Sequence, residues 1–341
     1  MEFINNKEIR KTRSFRSSVD KKRYFIIFFS CLIVSIFSSI ALIVYKNPVS
    51  YMSPSFWPVV QRRSFSLLAM IIAASCQSVA TIVFQSVTNN RIITPSLLGF
   101  EALYSAINTG VMFFFGVKAF LSFTGVTSFV IQIVAMILLS LILYSWLLFG
   151  KGKNLQLMLL LGIVISTALK SLSTFMRRIL SPSEFSILQA RLFASVNNAD
   201  ASYIPLAIML VVVSVFLIWK MLPKLNILSL GRDASVNLGL NYKKNSVYIL
   251  ILVSVLMAAS TALVGPLSFF GFLVASFTYQ IVKSYDYKYI LPMSIVISYL
   301  IITMAYFIMN HVFSAQGVVS ILIEFVGGLV FLIMIFRKDK L

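Results

Sequence analysis

Few side chains in this sequence are equipped for chemistry. It has one histidine, His311, and two cysteines, Cys31 and Cys76, both inside apolar runs. That leaves no disulfide framework and no metal-ligand spacing, and no convergent set of the kind a catalytic metal needs. A phosphate-cradling Gly-x-x-x-x-Gly-Lys-[Ser/Thr] loop is absent. Gly150-Lys151-Gly152-Lys153 is a short basic loop without that spacing or its hydroxyl, and it reads as a topology anchor. No catalytic, cofactor or metal residue is therefore expected, and the chain is not expected to be an enzyme. If ATP energises it, another chain supplies the ATPase. Three ionisable groups fall within apolar stretches: Glu101, Lys170 and Glu324. Lys170 is near enough to the outer face to snorkel, Glu101 lies near the inner end of its stretch, and Glu324 sits well inside a helix. Proton or sodium coupling usually uses such groups at mid-membrane. One carboxylate is thin support for it, but it keeps an ion-coupled secondary transporter, working without an ATPase, as the alternative.

The elements that must carry these groups follow from composition. Of 341 residues, 59% are hydrophobic and 11% charged, against about 25% charged in soluble domains. Mean hydropathy is +0.94. The apolar residues form long unbroken runs, not the alternation of a membrane β-barrel, so the fold class is an all-α polytopic membrane protein. A spanning helix needs roughly 20 apolar residues. Ten stretches qualify, at about 24–45, 65–87, 97–116, 126–149, 155–176, 203–221, 245–265, 269–283, 289–309 and 315–336. The third and eighth start beside Pro or Gly-rich turns and are candidates for half-helices. Residues 1–23 form a basic N-terminal segment, and 24–341 a single transmembrane domain.

The 29 Lys+Arg against 10 Asp+Glu give a net charge of +19. In a soluble protein that would suggest nucleic acid, but here the cations sit in short loops, where they set topology. The N-terminal segment holds Lys7, Arg10, Lys11, Arg13, Arg16, Lys21, Lys22 and Arg23. The loops on the same side add Arg91, Lys151, Lys153, Lys220, Lys224, Arg232, Lys243, Lys244, Lys283 and Lys288, and the C-terminus adds Arg337, Lys338 and Lys340. The other face has Lys46, Arg62, Arg63, Lys118, Arg177, Arg178 and Arg191. Positive-inside bias therefore places both termini in the cytoplasm of a cell membrane. Trp57, Trp146 and Trp219 fall near span ends and read as interfacial anchors.

Three places break the monotony. Gln85-Ser86-Val87-Thr88-Asn89-Asn90-Arg91-Ile92-Ile93-Thr94-Pro95-Ser96-Leu97-Leu98-Gly99 stops a helix at the inner face. It is either a turn alone or the lining of an inner mouth, where backbone freed by Pro and Gly faces a water-filled cavity. Residues 226–241 are too short and polar to span. Leu228, Leu230, Ala234 and Leu238 give an amphipathic turn or two closed by Gly239. Such a segment either lies on lipid or docks a small apolar knob into a soluble partner. Arg62-Arg63 puts adjacent cations on the outer face, either as headgroup anchors or as partners for carboxylates, which the planar guanidinium pairs bidentately.

Taken in order, these motifs resemble the permease subunits of bacterial ABC importers for iron–siderophore, haem and cobalamin. Gln85, Asn90, Pro95, Leu98 and Gly99 match that family's pattern in register, with Arg91 where it usually has Pro. The Asn-Asn-Arg-Ile form resembles the ferric siderophore branch, often of the catecholate kind. Leu230-Gly231-Arg232-Asp233-Ala234 with Leu238-Gly239 is similar to the family's cytoplasmic segment after the sixth helix. Gly265-Pro266-Leu267-Ser268-Phe269-Phe270-Gly271-Phe272 and Glu324-Phe325-Val326-Gly327 match two further motifs, with Ala275 and Tyr279 replacing a later Pro and Arg.

The resemblance implies a permease of an ATP-driven importer of a ferric siderophore, paired with a second permease, identical or paralogous. It implies two cytoplasmic ATPase subunits and an extracytoplasmic substrate-binding protein as partners. Leu230, Gly231, Ala234, Leu238 and Gly239 would then couple to the ATPase. Arg63, matching the first Arg of the family's outer pair, and Arg62, in place of the second at Ser66, would dock the binding protein, with Arg177, Arg178, Glu184 and Arg191 adding to that surface. Gln85, Asn90, Pro95, Gly99, Gly265, Pro266, Gly271 and Glu324 would line the pathway or its inner mouth.

Overall fold

The computed structural model describes residues 14–15, 17–45, 54, 56–149, 155–196, 199–313 and 318–338. The Gly150–Lys153 loop, Lys7 to Arg13, Arg16 and Lys46 lie outside them, as do the side chains of Trp146, Arg337 and Lys338. The helices are α1 (Ser18–Val44), α2 (Phe56–Thr88), α3 (Phe100–Ser122), α4 (Gly125–Phe149), α5 (Leu155–Ile179), α6 (Pro182–Leu192) and α7 (Ile204–Lys220). They continue with α8 (Leu222–Leu228), α9 (Arg232–Asn237), α10 (Tyr242–Val264), α11 (Phe270–Ile281), α12 (Tyr287–His311) and α13 (Val319–Lys338). A 3-10 turn, Pro95–Leu98, precedes α3. Among the described residues the one β feature is an isolated bridge between Phe15 and Ser284.

Each of the ten expected stretches falls on a helix. Among the described residues, seven helices are long and apolar enough to cross a bilayer alone: α1, α2, α3, α4, α5, α10 and α12. The sixth stretch is α7, which joins α8 at a 66° bend. The third, α3, consists of two helical runs that meet at a kink at Gly116, where φ is 74°. The eighth is a half-helix, since α11 has 12 residues, about 18 Å of rise against a hydrocarbon core of about 30 Å. Phe269, with φ 58°, starts it abruptly.

Local chemistry sets several ends. Ser17 caps α1 by accepting the Asp20 N–H, and Ser181 with Glu184 forms a capping box on α6. α2 and α10 make the centre, each 78% buried over its most apolar window, whereas α1 is 17% buried and peripheral. Small buried residues let the central pair approach closely: Ala69, Ala73, Ala74 and Ala80 on one, Ala258, Ala259 and Ser260 on the other. Polar bonds tie the centre together, from Gln77 Nε2 to Ser260 Oγ at 3.2 Å and from Ser298 Oγ to the Ala74 carbonyl at 2.9 Å.

Candidate functional site

The residues singled out by sequence gather in three places along the bundle. The end that charge bias assigns to the cytoplasm holds a cavity of about 1300 Å³, lined by Gln85, Asn90, Arg91, Asn226, Leu230 and Asp286 among others. The chain stops here because side chains replace the helix ladder. Gln85 Nε2 donates to the Arg91 carbonyl at 2.7 Å, Asn90 Oδ1 accepts the Ile92 N–H at 2.9 Å, and Asn89 takes a left-handed φ of 49°. Arg91 lies over the Tyr279 ring at 4.6 Å. The turn thus stops the helix and lines this cavity.

Residues 226–241 stand beside it as two short helices joined at Gly231, whose φ of 93° demands glycine. A side chain there would also approach Asn89 Nδ2, 3.3 Å from an ideal Cβ. Leu225 and Leu228 are buried and root α8 in the bundle. Ser86 Oγ donates to the Leu225 carbonyl and the Tyr242 hydroxyl to the Val87 carbonyl, fixing the segment to α2. Leu230 and Leu238 are each 61% exposed and Val236 54%, so the apolar knob points away from the bundle. Ala234 is half-buried beside them, and Leu228 belongs to the root, not the knob.

Deeper in the bundle, glycines mark close approaches. Gly99, with φ 95°, lies against Ser166 and Gly162, and a Cβ on Gly271 would collide with Thr81 Oγ1. A Cβ added to Gly265, whose φ is 93°, would lie 3.0 Å from the Ala194 Cα, next to half-buried Pro266. Pro95 opens the 3-10 turn that leads into α3. Ser268 Oγ donates to Glu101 Oε2 at 2.6 Å and also reaches Glu324, with Lys170 close enough to act on both carboxylates. Sequence reading kept Glu101 and Glu324 apart; residues 167 positions distant in the chain bring Glu101 to Ser268.

At the outer end, arginines close helices. Arg63 Nη1 donates to the carbonyls of Leu42 at 3.0 Å and Ile43 at 2.8 Å, capping α1. Arg191 does the same for α3, reaching the Phe120 and Phe123 carbonyls at 3.0 and 2.6 Å. Arg177 donates to Ser105 Oγ. Glu184 caps α6, and the N–H and hydroxyl of Ser181 hold its carboxyl below the usual carboxylate range. Arg62 and Arg178 are exposed. The capping roles had no signature in sequence, because each arginine serves a helix end far along the chain.

One helix-capping residue beside the cavity escaped sequence reading altogether. Asp286 precedes α12 and accepts the Lys288 N–H at 3.0 Å. Asp before an apolar run is an N-cap signal, and that signal was present in Asp286-Tyr287-Lys288.

Comparison with known proteins places this architecture. The model of the FecCD transport family matches residues 24–337. The petrobactin import system permease protein FatC of Bacillus anthracis is 54% identical over 98% of this chain and 94% of its own length. YclO, a petrobactin import system permease protein of Bacillus subtilis, is 36% identical over 82% of this chain and 89% of its own. A solved structure of a metal-chelate type ABC transporter in an inward-facing conformation superposes with a TM-score of 0.77 at 16% identity, covering 92% of this chain and 99% of that one.

Proposed function

The chain belongs to the FecCD transport family, and we propose that it is the membrane permease of an ATP-driven importer that moves a ferric siderophore into the cell. It is a multi-pass helical protein of the bacterial cytoplasmic membrane and a transport component, not an enzyme. The observation that carries the substrate reading is the near-full-length likeness to a permease named for petrobactin import. Ferric petrobactin is the proposed cargo.

In this reading both termini are cytoplasmic and two permeases, identical or paralogous, enclose the path. A binding protein delivers the chelate outside, and two ATPase chains bind inside. The apolar knob of Leu230, Val236 and Leu238, with Ala234 at its base, enters a groove on the ATPase. This is the docking mode of a short helix in an apolar groove, and the exposure of three large apolar side chains on an otherwise polar segment supports it. Motion of the ATPase pair is carried through α8 to α2, whose end forms the inner mouth. Outside, exposed Arg62 pairs with an acidic residue of the binding protein, while Arg63 shapes the surface by holding the end of α1.

Uptake of radio-iron chelates by a deletion strain, across a panel of siderophores, tests the reading. Loss of ferric petrobactin uptake, restored by the gene, is expected. Unchanged petrobactin uptake with loss of another chelate would overturn the cargo.

A further inference from the structure

The link between α11 and α12 gathers three distant parts of the chain at one carboxylate. Asp286 Oδ1 accepts both the Lys288 N–H at 3.0 Å and Asn226 Nδ2 at 3.3 Å. Oδ2 accepts the Ser14 hydroxyl at 2.8 Å. Asn226 Oδ1 in turn accepts the Tyr287 N–H at 3.1 Å, so Asn226 is held at both ends of its amide. Ser284 Oγ donates to the Ser14 carbonyl at 2.6 Å and accepts the Asp286 N–H at 3.2 Å. Phe15 closes the strap. Its ring is 6% exposed and packs 4.7 Å from Tyr289 and 5.5 Å from Tyr24. Burial works to raise the Asp286 carboxyl, but the donors of Lys288, Ser14 and Asn226 outweigh it and hold the group below its usual range.

Two facts give this hub a meaning. Asn226 is the root of the 226–241 segment, one residue from buried Leu225. Ser14 and Phe15 precede residue 24, where the match to the family model begins. A lever passes on force only if its root does not yield. The segment itself is two short helices with a glycine joint, and its polar tie to α12 runs through Asn226 to Asp286 and Tyr287.

We propose that Asp286 is a positioning residue for energy coupling, which locks the root of the 226–241 segment to α12 and to the Ser14–Phe15 strap. The inference rests on the coupling reading of that segment. Hydrogen bonds to a charged acceptor are the strong ones, and leaving Asn226 and the Lys288 N–H without theirs lets the root slip while the knob still binds.

The test is the amount of ferric petrobactin imported per ATP hydrolysed by the reconstituted complex, with ATPase co-purification measured alongside. Asp286→Ala is expected to retain the ATPase but to lower the ratio about fivefold or more. Asp286→Asn keeps an oxygen for Lys288 and Asn226 and turns an N–H toward Ser14 Oγ, so it stays within about twofold of the wild type. Ser14→Ala with Phe15→Ala, which removes the strap's contacts, lowers the ratio about twofold. Equal ratios for Asp286→Ala and Asp286→Asn, whether both normal or both low, overturn the proposal. If Asp286→Ala does not reach the membrane, Asn226→Ala decides, and a wild-type ratio there also overturns it. A wild-type permease from which the ATPase does not co-purify overturns instead the coupling reading.

Discussion

The two ends of the bundle use charge in opposite ways. At the outer end the guanidinium groups of Arg63 and Arg191 turn inward and satisfy helix-end carbonyls. Those carbonyls are the unpaired groups every helix leaves at its C-terminus. At the inner end a carboxylate, Asp286, collects N–H and O–H donors, and the segment it steadies turns Leu230, Val236 and Leu238 outward. One end thus hides charge to finish its helices, and the other hides charge so that an apolar surface can be offered. A cation on the outer face is therefore not by itself a docking residue, and exposure separates Arg62 from Arg63.

The largest effect that would break this contrast is at the knob. Ala234→Glu places a charge and extra volume where a tight apolar groove is proposed, and overpacking alone costs about 1–3 kcal/mol. Import is expected to vanish, with the protein still in the membrane and the ATPase no longer co-purifying. Normal co-purification would remove the docking role. Next comes the outer pair. Arg62→Glu should weaken binding-protein affinity about tenfold or more, within the range for a docking ion pair, with thermal stability of the permease unchanged. Arg63→Glu should instead lower thermal stability, because it removes hydrogen bonds from a charged donor worth about 1.5–3 kcal/mol. If both act alike on affinity and neither on stability, the two arginines share one role and the division drawn here fails.

The contrast also marks how far sequence alone reaches. Long apolar runs located the seven helices that, among the described residues, are long and apolar enough to span, because lipid demands them. Pro95, Gly99 and Gly265 signalled the breaks, since their backbone needs are local. The short α11 was legible in Gly265 to Gly271, and the non-spanning character of 226–241 in its polarity. What sequence could not carry were partnerships across the chain. Asp286 meets Ser14 across 272 positions and Asn226 across 60. Arg63 and Arg191 looked like surface charge until the helix ends they close were in view. Glu101 and Glu324 looked like separate intramembrane acids, and Ser268 joins them.

Smaller effects sharpen the comparison. Arg191→Ala should lower thermal stability by about 1–3 kcal/mol, and more than Arg178→Ala, because Arg178 is exposed. A differential scan of the purified permease checks this. The pH response should be smaller still. Asp286 and Glu184 are both held below their ordinary values. Stability that comes from a depressed carboxyl is fully present above the unfolded value, about 3.9 for Asp and 4.3 for Glu. It is lost as pH falls through the lower folded value. Import per ATP should therefore be flat from about pH 6 to about pH 8. A steep change in that window would place another titrating group in the coupling path.

The most direct measurement is import of ferric petrobactin into proteoliposomes that hold both permeases and the ATPase, with binding protein outside, ATP inside and no ion gradient. The account predicts ATP-dependent accumulation that survives Glu324→Gln. Uptake that ignores ATP, but follows an imposed proton or sodium gradient and is abolished by Glu324→Gln, would contradict it.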